Sequence, residues 1–141
     1  MTYLFDVNAL LALGDLKHPS HFKVAKWKDS NPGIGWATCP ITENGFVRII
    51  SQPSYKNTNL NAAEALLALQ KICTDPFHEF WPDEISIREN LPCDKVPGPK
   101  AVTDLYLLAL AVHKNGKLAS LDTRIDPTLI PGGQEAFHLI G

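Results

Sequence analysis

Short apolar runs alternate with helix-length stretches from one end of this chain to the other, with no linker, repeat or low-complexity tract between them. Tyr3-Leu4-Phe5 is a strand candidate that stops at Asp6, and Ala9 to Leu13 begins a helix. Ser20 is placed to cap a second helix carrying Phe22, Val24, Ala25 and Trp27, which Asn31-Pro32-Gly33 ends. Ile34 to Thr38 reads as a strand, and Pro40 suits the first turn of a helix running to about Ile50. Asn61 with Glu64 three residues on predicts a capped helix through Ile72. His78 to Trp81 is a further strand, Asp83 would cap a short helix through Arg88, and Leu91 to Lys100, with three prolines and a glycine, is a loop. Thr103 then caps a helix through His113, Asn115-Gly116 stops it, and Lys117 to Leu121 is a strand. Such an alternation predicts one α/β domain with a mainly parallel sheet, in which functional groups collect at the carboxyl ends of the strands.

Four carboxylates occupy the corresponding positions. Asp6 follows the first strand, Glu43 lies near the start of the Pro40 helix, Asp104 opens the helix after the proline-rich loop, and Asp122 follows the last strand. Two carboxylates at ~4 Å repel by roughly 4 kcal/mol at an effective dielectric near 20, so a fold that gathers them needs a reason. A divalent cation supplies one. Mg²⁺ takes six oxygen ligands and keeps several waters, so acids from separate elements can share it, and Mn²⁺ suits the same donors. That arrangement fits phosphodiester hydrolysis, in which the ion lowers the pKa of water and offsets charge on the leaving oxygen.

Composition sets limits on the rest. A chain of 141 residues that is 45% hydrophobic can bury a core of its own. The net charge of −2 gives no global basic field, yet setting the four acids aside leaves 11 acidic against 13 basic residues, so a polyanionic partner remains open. Cys39, Cys73 and Cys93 are odd in number and widely spaced, which argues against a disulfide framework or a zinc site and fits a reducing cytoplasm. No His-Glu or His-Cys spacing suggests zinc either. The apolar start is interrupted by Asp6 and Asn8 and reads poorly as a signal peptide, and no segment approaches the ~20 apolar residues of a membrane span.

Four segments resemble the PIN-domain ribonucleases, and among them the VapC-type toxins of bacterial toxin–antitoxin modules: Leu4-Phe5-Asp6-Val7-Asn8-Ala9-Leu10-Leu11, Ile41-Thr42-Glu43-Asn44-Gly45-Phe46-Val47-Arg48-Ile49, Val102-Thr103-Asp104, and Leu118-Ala119-Ser120-Leu121-Asp122. Their order and spacing agree across nearly the whole chain. The resemblance implies a PIN-like three-layer α/β sandwich with about five strands between helices. It also implies Mg²⁺-dependent endoribonuclease cleavage of tRNA or other translation-related RNA to 5′-phosphate and 3′-hydroxyl ends. A cognate VapB-type antitoxin and a homodimer belong to the same expectation, with no membrane partner.

Within that frame Asp6, Asp104 and Asp122 are the expected metal ligands, and Glu43, with its longer arm, is the expected base or water-orienting group. Asn8, Thr103 and Ser120 sit beside carboxylates in sequence and would steady them. Arg48 and Arg124 are candidates for RNA phosphate, although Arg48 is equally placed to pair with a neighbouring acid. Asp126 is a possible fifth acid, but Asp-Pro-Thr is also an ordinary turn, the favoured reading. Trp27, Trp36 and Trp81 are expected to fill core or interface rather than stack on bases. Each acid taken singly also suits a turn or a helix start, and only their joint occurrence favours a shared site. An aspartyl-phosphate phosphatase would need a second Asp where Asn8 stands. A PIN-like domain that has lost catalysis and serves in binding or assembly is the remaining alternative.

Overall fold

Five strands, all parallel, form the centre of the protein in the computed structural model, which describes Met1–Gly141. They are β1 (Thr2–Phe5), β2 (Gly35–Thr38), β3 (His78–Phe80), β4 (Lys117–Ser120) and β5 (Phe137–Leu139), arranged β3-β2-β1-β4-β5. Seven helices connect them: α1 (Val7–Gly14), α2 (His21–Asp29), α3 (Pro40–Ile50), α4 (Ala62–Ile72), α5 (Ile87–Asn90), α6 (Val102–His113) and α7 (Gly133–Ala136). Leu4 pairs in register with Ala37 on one side and Leu118 on the other, so β1 is the middle strand.

The chain moves outward from β1 to β2 to β3, then returns across β1 to build β4 and β5. Parallel crossovers are right-handed, so this reversal puts the first four helices on one face of the sheet and the last three on the other. Two cores follow. Phe5, Trp36 and Ala119 point toward α1, α2, α3 and α4, where Leu10, Val24, Phe46 and Leu69 bury. Leu4, Ala37 and Leu118 point the opposite way, against α6. Leu105 through Ala111 are all buried, because α6 lies beneath α5, α7 and the returning chain and has almost no solvent face. The reversal also opens a crevice between the carboxyl ends of β1 and β4, the place where open α/β sheets bind ligands.

Local sequence explains most of the element ends. Pro40 begins α3 as anticipated, and the Thr42 hydroxyl accepts the Cys39 N–H at 3.0 Å. Asn61 and Glu64 form a reciprocal capping box on α4, with bonds of 2.8 and 3.0 Å. Gly45 lets α3 approach α1, since a Cβ there would fall 2.8 Å from the Val7 Cγ2.

Three expectations are corrected. Thr103 does not cap α6, because the short 3-10 turn Pro99–Ala101 runs into the helix and leaves Thr103 exposed within its first turn. Asp83 does not cap a helix ending at Arg88. Ser86 caps α5 instead, and Asp83 accepts the Tyr106 hydroxyl at 2.5 Å. Ser20 precedes α2, but its side chain makes no capping bond. Trp36 and Trp81 are core residues, while Trp27 packs edge-on against Tyr3. No helix is long and apolar enough to cross a membrane.

Candidate active site

Asp6 is the residue at which β1 becomes α1. Its backbone is extended, and its Oδ1 accepts the Ala9 N–H at 2.8 Å, so the carboxylate caps the helix and is aimed into the crevice at once. It is only 3% exposed. Burial pushes its pKa up to about 6, and the charges of Asp104 and Asp122 push the same way against the Ser120 hydroxyl and the Ala9 N–H.

Asp104 reaches the crevice from the first turn of α6. Burial raises its pKa, Asp122 adds to the rise, and Arg124 opposes it. Asp122 arrives just past β4, where its N–H donates to the Ser120 Oγ at 3.0 Å. Arg124 holds its carboxylate below the usual range by donating Nε and Nη2 to the two oxygens. Ser120, fully buried, is thus the one expected supporting residue found among the acids. Asn8 and Thr103 are exposed and make no hydrogen bond to any of them.

A cleft of about 180 Å³ opens beside the group, lined by Asp104, Asp122, Arg124, Asp126 and Lys100 among others. Asp126 performs the turn function, accepting the Thr128 N–H at 3.0 Å and its hydroxyl at 2.5 Å at the head of a 3-10 turn, and it also faces this cleft. Lys100 was not anticipated. Its sole signal in the sequence is its place in the loop four residues before Asp104.

Glu43 has a different set of partners. Its Oε2 accepts the Thr38 hydroxyl at 2.7 Å, and its carboxylate lies within 4.8 Å of ligand-type atoms of Cys73 and His78. The charges acting on Asp6 and Asp104 do not include it. Strand alternation accounts for this: Thr38 is level with Phe5 and shares its face, on the side of α3 and α4, whereas Asp104 comes from α6 on the opposite side. Arg48 is exposed, forms no ion pair, and lines a second groove with Asn44 and Thr103, next to Asp104 in the chain.

Three carboxylates from three separate elements therefore converge with one arginine as counter-charge. Their donors are all oxygen, and the buried member has a pKa raised by burial first and by its like-charged neighbours after it. That donor set matches a hard divalent ion such as Mg²⁺ or Mn²⁺.

Residues 3–128 match the PIN domain family. Ribonuclease VapC44 of Mycobacterium tuberculosis is 42% identical over 134 residues, spanning 94% of each chain. Ribonuclease VapC39 of the same organism is 37% identical over 127 residues, covering 89% of this chain and 91% of the relative. Ribonuclease VapC38 is 36% identical over 125 residues, 86% of each.

Proposed function

The chain belongs to the PIN-domain family, with VapC ribonucleases as relatives, and from that premise we propose that it is a metal-dependent endoribonuclease toxin. Its substrate in this reading is tRNA or another RNA used in translation, cut to 5′-phosphate and 3′-hydroxyl ends. The observation that carries the proposal is the convergence of Asp6, Asp104 and Asp122 at the β1–β4 crevice, with Asp6 buried among like charges.

Asp6, Asp104 and Asp122 would hold the ion. When bound, a divalent cation acidifies water and offsets charge on the phosphate and the leaving oxygen. The protein's own contribution is positional. Helix capping fixes Asp6, the Ser120 hydroxyl fixes the Asp122 backbone, and the rigid start of α6 fixes Asp104. Arg124 and Lys100 on the cleft, with Arg48 across the neighbouring groove, supply cations for the phosphates that flank the cut. Target choice depends on RNA loop shape and unpaired bases.

A cognate VapB-type antitoxin restrains the enzyme in this reading, most directly by placing an Arg or Lys among the three acids. A homodimer and action in the cytoplasm, where three free cysteines stay reduced, complete it.

The test is cleavage of total RNA by antitoxin-free protein with Mg²⁺ or Mn²⁺, against chelator and Asp6→Asn controls, with product ends mapped. Discrete fragments bearing 5′-phosphates, absent from both controls, are expected. A folded, metal-loaded protein that cuts no RNA would turn the reading toward a binding module.

A further inference from the structure

On the α3–α4 side of the sheet, three side chains of different chemistry meet at the ends of three elements. Glu43 is in the first turn of α3, Cys73 is the C-cap of α4, and His78 is the first residue of β3. Their ligand-type atoms, a carboxylate oxygen, a thiol sulfur and an imidazole nitrogen, lie within 4.8 Å of one another. All three residues are partly exposed, so an ion has access. The sequence gives no spacing that joins them.

Thr38 already organises the group. Its hydroxyl donates to Glu43 at 2.7 Å and lies 2.8 Å from the His78 Nε2. A hydroxyl has one proton, and a carboxylate can only accept it, so the imidazole must donate from Nε2. Cys73 takes part in no disulfide. Burial, and after it the nearby Glu43 charge, disfavours its thiolate, and a cation would offset both.

We propose that Glu43, Cys73 and His78 form a second cation site, selective for a thiophilic divalent ion such as Zn²⁺ and separate from the acid group at the β1–β4 crevice. One sulfur, one nitrogen and one oxygen are the donors that Zn²⁺ takes, whereas Mg²⁺ prefers an all-oxygen shell. Three protein ligands leave the fourth tetrahedral position to water. Ligands around Zn²⁺ stand roughly 3.5 Å apart, so the group has to contract by about 1 Å. The long Glu43 arm and the element-end positions of Cys73 and His78 permit that movement. Binding would exchange the Thr38–His78 bond for coordination and release the proton of the Cys73 thiol. It would also tie the three-residue edge strand β3 to α3 and α4.

The test titrates chelator-stripped full-length protein with Co²⁺, a spectroscopic stand-in for Zn²⁺. One equivalent should produce a near-ultraviolet thiolate-to-metal band that Zn²⁺ abolishes and excess Mg²⁺ does not. Cys73→Ser should abolish it, and His78→Ala should weaken binding by about tenfold or more. Cys93→Ser and the Asp6→Asn/Asp104→Asn double variant should retain it, which separates this site from the proposed nuclease centre. Absence of the band, or its survival in Cys73→Ser, overturns the proposal. Should Cys73→Ser fail to fold, alkylation of the unaltered protein decides: Zn²⁺ should shield Cys73 while Cys93 continues to react, and equal labelling with and without Zn²⁺ overturns the assignment.

Discussion

Arg124 grips Asp122 with two arms of its guanidinium, Nε to Oδ1 and Nη2 to Oδ2, both at 3.0 Å. The arginine is 83% exposed while the carboxylate is 16% exposed, so a surface cation engages both oxygens of a largely covered acid. A metal ion approaching Asp122 must share or displace it.

Arg124→Ala should therefore change two parameters in opposite directions. Removing the competitor should lower the Mg²⁺ concentration for half-maximal cleavage a few-fold, while losing a cation on the cleft should raise KM for RNA. The Asp122 pKa should return toward the ordinary carboxylate value. Mg²⁺ titrations at saturating RNA, paired with RNA titrations at saturating Mg²⁺, read both effects.

Asp6 makes a prediction about stability as well as activity. Its folded pKa, about 6, lies above the usual 3.8, so its protonated form is favoured by folding. That contribution is fully present below about pH 3.8 and is lost as pH rises through about 6, amounting to a term on the order of 3 kcal/mol. Without metal, Asp6→Asn should melt higher than the unaltered protein at pH 7.5, because Asn keeps the helix cap without the buried charge. The gap should close near pH 4. Cleavage should fall in Asp6→Asn and Asp104→Asn by more than the roughly 10–100-fold expected for an outer partner of a metal ligand. Thermal melts across pH and RNA cleavage assays check the two halves.

Arg48→Ala should weaken RNA binding without altering the melting temperature, since the side chain is exposed and forms no ion pair. One lost phosphate contact on a single-stranded segment should reduce the slope of log K against log salt by about 0.7. Binding to a non-cleaved RNA at several salt concentrations gives the number. An unchanged slope would remove Arg48 from the RNA path.

Asn61→Ala and Thr103→Ala should differ although both residues suit helix starts. Asn61 accepts the Glu64 N–H at 2.8 Å, and its loss should cost about 0.5–2 kcal/mol. Thr103 caps nothing and is exposed, so its loss should stay within about 0.5 kcal/mol. Urea unfolding of the two variants side by side tests the contrast.

Where local chemistry decides an element, the sequence was readable. Pro40 and the Asn61–Glu64 pair set the starts of α3 and α4, and short apolar runs marked β1, β2 and β4. β5 escaped notice because three residues at a sheet edge carry no period. Thr103 misled because any Thr before an apolar helix resembles a cap, while the Pro99–Ala101 turn that replaces the cap depends on the path of the preceding loop. For the acids, chain order gave Asp6, Asp104 and Asp122 a common sheet edge, but it could not tell which face Glu43 would take. That choice rests on Thr38 and His78, whose positions exist only once β2 and β3 have paired. Cys73 and His78 likewise show no ligand spacing in the sequence, because the end of α4 and the start of β3 come beside Glu43 only in the folded chain.

The central position of β1 has a consequence for the order of assembly. Asp6 lies at the end of β1, but the strand that completes its surroundings, β4, begins only at Lys117 and pairs with β1 over a long stretch of intervening chain. Asp6 and Asp122 therefore meet only when that distant pairing closes, after β2 and β3 have been laid down beside β1. If the three acids cut RNA, a chain in which β1 and β4 have not yet paired is inert toward it.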